Sequence, residues 1–353
     1  MQVPESILIV KLSAIGDVVH SLPLLEVLRA NFPHAKIDWL VEEDSSQVIK
    51  GHPAIDRTIV SRRKSWQRRL LKGGHFSSVL SEVVAFVKQL RSRRYDLVID
   101  VQGLLKSGIL IGLSRGKRKI GMSGAREGAW FFVNERSIRV SYNEHAIDRY
   151  LRIAEYLGCD LTPWKGDIPV LESDKLLIDR MLDTNSPGRR PLVAINPVAK
   201  WKTKLWEQER FAALADRLMD DLSCDIVFTG SKEDRAVIGD ISGRMSKKPM
   251  NLAGQTGLKD LAYLYTRCNA LVTTDTGPMH IAAAMGCPVV ALFGPTSPLR
   301  TGPYGKGHKV IRADVDCSPC FKKTCGHMIC MKEIKVDGVF DAVKDLITVH
   351  GFN

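Results

Sequence analysis

Short apolar runs alternate with longer stretches of helical periodicity along almost the whole chain, and this alternation limits the fold more than any other feature. Ile7-Leu8-Ile9-Val10 reads as a buried strand, followed by a helical pattern from Val18 to Ala30; Lys36 to Val41 and Leu97 to Val101 read as further strands. Between them, residues 75–94 carry Val79, Val83, Phe86, Val87 and Leu90 at helical spacing, with a basic opposite face. The texture loosens after residue 160, through Pro163, Gly166 and Pro169, to Asn185-Ser186-Pro187-Gly188-Arg189-Arg190-Pro191, which reads as a linker. A second series follows, with strands at 192–196, 225–229, 270–274 and 288–293 and helical stretches between them. Strand–helix alternation on this scale implies parallel sheets with helices on both faces, once in each half. The expected architecture is α/β, two Rossmann-like domains facing each other across a cleft. The expected bounds are an N-terminal domain over 1–175, a linker over 176–191 and a C-terminal domain over 192–335. A last helix, 336–353, is expected to pack back on the N-terminal domain.

A hydrophobic content of 44% with 25% charged residues suits a water-soluble globular protein. No apolar run approaches the roughly 18 residues that span a bilayer. Met1-Gln2-Val3-Pro4-Glu5-Ser6-Ile7 has neither a basic start nor a small-residue cleavage site, so the chain is expected in the cytoplasm. Its eight cysteines are then reduced thiols or metal ligands, not a disulfide framework. The charge is concentrated. Residues 57–142 hold 19 lysines and arginines against five acids, an excess of 14 that is larger than the +12 of the whole chain. So local a field suggests an anionic partner, whether nucleic acid, anionic lipid or a phosphorylated and carboxylated substrate; a merely solvated surface is the alternative.

Five constellations could carry chemistry. Thr273-Thr274-Asp275-Thr276-Gly277-Pro278-Met279-His280 lies between two apolar runs, where a strand turns into a helix. Hydroxyls, a glycine and an aspartate gather there beside free N–H groups and a helix dipole that favour an anion, at the carboxyl end of a parallel sheet. Val10 to Pro23 closes the first strand with a small-residue loop and puts Asp17 near a helix start, as an N-cap or a reactive carboxylate. Asn196 to Trp206 sets Lys200, Lys202, Thr203 and Lys204 before the next helix, a phosphate clamp or a basic surface loop. Thr229-Gly230-Ser231-Lys232-Glu233-Asp234 places an acid after a glycine turn, able to accept from ribose hydroxyls. Cys317, Cys320, Cys325 and Cys330, with His327 among them, form either a structural zinc site or a set of packed or redox-sensitive thiols. Neither G-x-G-x-x-G nor G-x-x-x-x-G-K-[ST] occurs, which removes the main sequence support for dinucleotide redox chemistry and for P-loop phosphoryl transfer.

Several of these segments resemble the bacterial lipopolysaccharide heptosyltransferases of glycosyltransferase family 9. Lys11-Leu12-Ser13-Ala14-Ile15-Gly16-Asp17-Val18-Val19-His20-Ser21-Leu22-Pro23 is similar to that family's opening signature, and Asp275 to Ala284 to its donor-site signature. Val101 to Ser107, Ala125-Arg126-Glu127 and Phe293-Gly294-Pro295-Thr296 match in order, so the resemblance runs from about residue 6 to 313. The central motifs and the basic Arg62–Lys72 segment look most like heptosyltransferase I, whereas the cysteine-rich tail looks like some type II members.

The resemblance implies a GT-B fold, an ADP-heptose donor held mainly by the C-terminal domain, and inverting transfer with no cofactor or catalytic metal. It implies Asp17 as the base and Lys204 as the cation that meets the leaving-group charge. Thr203, Lys204, Glu233, Asp275, Thr276, Gly277, Met279 and His280 would bind the donor. Arg62, Arg63, Lys64, Arg68 and Arg126 would meet the anionic Kdo-lipid A acceptor at the inner face of the inner membrane, with Arg69 and Lys72 beside them and Trp66 as an interfacial anchor. No nucleic acid is expected as a partner, and the chain is expected to act as a monomer. The competing readings are a nucleic-acid-binding protein using the 57–142 face, for which no RNP, KH, zinc-finger or helix-turn-helix pattern is present, and a same-fold glycosyltransferase with another donor or acceptor.

Overall fold

The computed structural model describes residues 3–73, 76–135, 137–161, 163–185 and 190–349. The chain divides between Pro169 and Val170 into two compact units, each built on one parallel sheet.

In the first unit the strands are β1 (Ser6–Val10), β2 (Lys36–Glu42), β3 (Arg57–Ser61), β4 (Arg94–Asp100) and β5 (Arg115–Gly121), in the order β3-β2-β1-β4-β5. All neighbours are parallel; Ile7 of β1 lies opposite Ile37 of β2 on one side and Leu97 of β4 on the other. The strand order therefore reverses beside β1, and the loops after β1 and β4 meet at that switch point, where open α/β sheets bind ligands. The helices Arg63–Leu71, Phe76–Arg91 and Leu105–Leu113 cover one face. Their inner residues Trp66, Val79, Phe86, Leu90 and Ile111 share one apolar core with Leu8, Val10, Leu40, Ile59 and Val98 of the strands.

The second unit carries β6 (Leu192–Asn196), β7 (Asp225–Phe228), β8 (Met250–Asn251), β9 (Ala270–Thr274), β10 (Val289–Phe293) and β11 (Lys309–Arg312), in the order β11-β10-β9-β6-β7-β8. Again every pairing is parallel, and the order reverses between β6 and β9. Every residue of β6, β9 and β10 is buried, as expected for central strands covered on both faces.

Several sequence expectations need correcting. The single helix expected over 18–30 is two, Ile15–Val19 and Leu22–Asn31, with the Ser21 hydroxyl bonded to the Asp17 carbonyl and Pro23 in the first turn of the second. Much of the expected linker is the helix Glu172–Asn185, which belongs to the second unit and packs on Leu258–Thr266; residues 186–189 lie outside the described residues. The last helix, Val336–Val349, packs on the second unit's own Gln208–Asp221 helix and on β9, β10 and β11. It does so because Val339, Phe340, Val343, Leu346 and Ile347 supply an apolar face that the second core needs; residues 350–353 lie outside the described residues. No helix among the described residues is long and apolar enough to cross a membrane.

Candidate active site

The second unit places its candidate residues at the β6/β9 switch point. Asp275 follows β9 directly, and its buried carboxylate is held by two donors through one oxygen: Lys204 Nζ to Oδ2 at 2.6 Å and Thr296 Oγ1 to Oδ2 at 2.7 Å. Lys204 also donates to the Asp275 carbonyl at 3.2 Å. The three residues come from the loops after β6, β9 and β10, so the pairing depends on three adjacent strand ends of the sheet. Lys204 ends a short 3-10 turn, Lys202–Lys204, and its ammonium lies 4.6 Å from the centre of the Trp201 ring; Lys323 approaches the same ring at 5.3 Å. Two cations thus flank one indole at a sheet mouth.

Beyond Asp275, Thr276 is the N-cap of the helix Gly277–Ala284, with Pro278 in its first turn. Thr276 and Gly277 are half-buried, while Met279 and His280 are buried. The Met279 side chain has no accessible surface, so its expected contact with a donor is corrected to core packing. Thr203 is also buried, and its hydroxyl donates to the Lys322 carbonyl at 2.9 Å, tying the lysine loop to the cysteine-rich segment. Glu233 is exposed on the turn after β7, and its own backbone N–H and the Ser231 hydroxyl hold its carboxyl below the usual range.

The first unit builds a second polar cluster at the β1/β4 switch point. Asp17 sits in the first turn of the Ile15–Val19 helix, accepts from the Ala14 N–H at 3.2 Å and is 39% exposed. Behind it, Lys11 is buried. Its ammonium lies 4.0 Å from Asp17 Oδ2 and donates to Tyr150 Oη at 3.0 Å and to the Val101 carbonyl at 3.3 Å. Burial opposes the charge on Lys11, but Asp17, Tyr150 and Asp100 outweigh it and hold the ammonium above the ordinary lysine range. The Gln102 amide oxygen accepts from the Leu12 and Ser13 N–H groups and so braces the loop that carries Asp17. Lys106 donates to Ser13 Oγ at 2.7 Å and to Glu42 Oε1 at 3.3 Å. Burial, with Arg63 and Lys64 adding to it, pushes Lys106 down despite the nearby Glu42. The cluster can therefore present one water-exposed carboxylate whose inner side is backed by a buried cation. Lys11, Glu42, Lys106, Tyr150 and, in the other unit, Trp201 and Thr296 were not singled out as site residues from sequence. Lys11 stands directly after β1 and Thr296 three residues after β10, a usable signal; Tyr150 carries none.

The acceptor candidates are engaged more than the charge map implied. Arg62 pairs with Glu43, Arg63 with Glu42, Lys64 with Asp44 and Glu42, and Arg69 with Glu82. Three of those acids, Glu42, Glu43 and Asp44, lie just outside the 57–142 window, so a count over that window overstates the local field. Arg126 is exposed on the turn after β5, and its backbone N–H donates to the Gly103 carbonyl. Trp66 is not an interfacial anchor. It is 9% exposed, meets Phe86 edge-on at 5.5 Å, and donates its indole N–H to Glu82 at 2.9 Å. A long amphipathic partner helix covers it, and the sequence around residue 66 does not announce that helix.

The four clustered cysteines are free and line a cavity of about 60 Å³ together with Thr203, Lys322 and His327. Cys317 is exposed, Cys320 and Cys325 are half-buried and Cys330 is buried; among the described residues no three His, Cys, Asp or Glu side chains are grouped so as to hold a metal ion.

Three comparisons bear on this arrangement. The chain is 33% identical to lipopolysaccharide heptosyltransferase 1 of Pseudomonas aeruginosa over 331 residues, covering 90% of this chain and 87% of that protein. A glycosyltransferase family 9 structure from Veillonella parvula superposes with a TM-score of 0.83 at 27% identity, covering 98% of each chain. An Escherichia coli heptosyltransferase solved with ADP superposes at 0.77 and 26% identity, covering 97% of this chain and 99% of that one. The two parallel-sheet units are those of the GT-B fold. Residues 83–329 match the model of glycosyltransferase family 9 (heptosyltransferase), and the chain belongs to that family.

Proposed function

We propose that this glycosyltransferase moves heptose from ADP-heptose to the Kdo-lipid A inner core of lipopolysaccharide, as a type I heptosyltransferase. The observation that carries the donor assignment is the Lys204–Asp275–Thr296 group at the β6/β9 switch point, a half-buried cation hydrogen-bonded to a buried carboxylate beside a helix N-terminus. An ADP-bound structure among its relatives supports the same donor class. The acceptor hydroxyl attacks the anomeric carbon opposite the departing ADP. Asp17 takes the hydroxyl proton, and Lys11 keeps the carboxylate oriented from the buried side. As the glycosidic bond breaks, negative charge grows on the diphosphate and is met by Lys204, with the Thr276–Gly277 turn alongside. Glu233 accepts from the ribose hydroxyls, and Asp275 and His280 shape the sugar end. Transfer on this reading needs no metal ion.

The type I assignment rests on the motif resemblance and on the relative named above. The cysteine-rich tail favours type II, which would take an acceptor already carrying one heptose. Arg62, Arg63, Lys64, Arg68 and Arg126 would face the anionic acceptor at the inner face of the inner membrane.

The test is calorimetric titration with ADP-heptose, ADP and UDP-sugars, with and without EDTA. Tight, EDTA-insensitive binding of the ADP ligands alone is expected. Binding of UDP-sugars instead would overturn the donor assignment. Turnover on Kdo-lipid A, against the same acceptor bearing one heptose, then separates type I from type II.

A further inference from the structure

We propose that the helical face of the first unit docks on an anionic bilayer by burying apolar side chains among the lipids, with Leu70, Leu71, Phe76, Leu80 and Val84 as the inserted group. This deepens the glycolipid-acceptor reading and rests on it for its purpose, but its physical basis is separate. The helix Phe76–Arg91 already turns Val79, Phe86 and Leu90 into the core. One such stripe satisfies a surface helix. Yet Phe76, Leu80 and Val84, four residues apart, form a second stripe on the outer side, 70%, 51% and 45% exposed. Leu71, at the end of the preceding Arg63–Leu71 helix, is 80% exposed, with Leu70 beside it. Packing within the unit does not require this outer stripe.

The apolar surface continues on the same layer. The helix Leu105–Leu113 sends Ile111 into the same core and leaves Leu105 and Ile109 exposed. The short turn Ala129–Phe132 packs against it so closely that a Cβ on Gly108 would meet the Phe132 ring at 2.5 Å. That turn displays Trp130 and Phe131, the latter 78% exposed. So many large apolar side chains exposed on one helical layer mark an interaction site.

The charges around it choose the occupant. Arg68, Lys72 and Lys88 are exposed and form no ion pair among the described residues, while the acid within the stripe, Glu82, is taken by Arg69. Apolar side chains rimmed by unpaired cations are the pattern of a surface that lies in the interface of an anionic membrane. A second copy of this face would set the same cations against each other.

The test uses the full chain and vesicles free of acceptor, of phosphatidylcholine alone or mixed with phosphatidylglycerol, read by flotation. Binding to the mixed vesicles is expected, weakening as salt is raised. The double variant Leu71→Ser/Phe76→Ser should lower that partition about tenfold or more, and Lys72→Gln/Lys88→Gln should lower it for the mixed vesicles only. Both serine substitutions are at exposed positions, so circular dichroism should be unchanged. Vesicle binding equal to wild type in Leu71→Ser/Phe76→Ser, or no binding by the wild type, overturns the proposal. So does a solution dimer that this variant abolishes, which would assign the face to a second copy. Turnover on a deacylated, water-soluble acceptor separates the two readings. If it persists in the serine variant while turnover on vesicle-borne acceptor falls, docking is supported. If the wild type binds vesicles but transfers no heptose to either acceptor, the acceptor reading fails and the docking stands.

Discussion

Replacing Lys204 with methionine keeps the stem against Trp201 and removes the ammonium, which should damage stability and catalysis through different partners. The Asp275 carboxylate then keeps only the Thr296 hydroxyl, at 2.7 Å, in a site with 7% exposure. Deleting one member of a buried ion pair costs about 3 kcal/mol or more, because the other charge is left without compensation. For a unit of this size that is a fall of about 6–12 °C in Tm. Loss of the cation that meets the leaving diphosphate should separately reduce kcat/KM by about 10²–10³-fold. The double variant Lys204→Met/Asp275→Asn pulls these apart, since the amide carries no charge and can still accept from Thr296. It should recover about 2 kcal/mol of the stability and none of the activity. Urea unfolding reads the first quantity and ADP release reads the second. A Lys204→Met protein as stable as wild type would show that the pair is not compensating a buried charge. A double variant with wild-type turnover would remove Lys204 from the leaving-group role.

Asp17→Asn should lower transfer by about 10²–10⁴-fold while calorimetry shows ADP-heptose affinity largely intact; wild-type initial rates would remove Asp17 from the role of base. Trp66→Ala should cost about 3–5 kcal/mol in denaturant unfolding, as expected for a core aromatic, whereas an interfacial anchor would leave stability unchanged. Burial raises the Glu42 carboxyl, but its Arg63 hydrogen bond and Lys106 outweigh this and hold it below its ordinary range. The folded-state value is thus the lower one, so its contribution is present above the unfolded pKa of about 4.3 and is lost as pH falls through the folded value. Thermal melts from neutral to acidic pH should show Glu42→Gln less stable than wild type at neutrality, with the gap narrowing on acidification.

What could be read from sequence followed how locally each feature is determined. The central strands β1, β2, β4, β6, β9 and β10 are short apolar runs whose own composition requires burial, and all were legible. The edge strand β5 reads Arg-Gly-Lys-Arg-Lys-Ile-Gly; cations along an edge discourage pairing with other chains, and they also hide the strand from any hydrophobicity criterion. Strand β8 is two residues long and has no pattern to find. In the candidate site, the residues next to strand ends were visible because parallel sheets gather ligands there. Which residues pair was not visible: Lys204 and Asp275 are 71 residues apart, and Lys11 and Tyr150 are 139 apart. Trp66 shows the opposite failure, a residue whose basic neighbours suggested a surface role, whereas Phe86, twenty residues on in the next helix, covers it.

The place of the Val336–Val349 helix has a consequence for the order in which the protein is made. The first unit has all of its sheet and the helices that cover it by residue 169, so it can complete its core while the rest of the chain is still being translated. The second unit cannot. Six side chains of that late helix close the same core as Val193, Phe228 and Leu292, so its early strands wait, with an apolar face uncovered, until residues near 349 emerge. For that interval the growing polypeptide carries an open apolar face, and a ribosome stalled shortly before this helix would release a chain with one finished half and one half prone to aggregate.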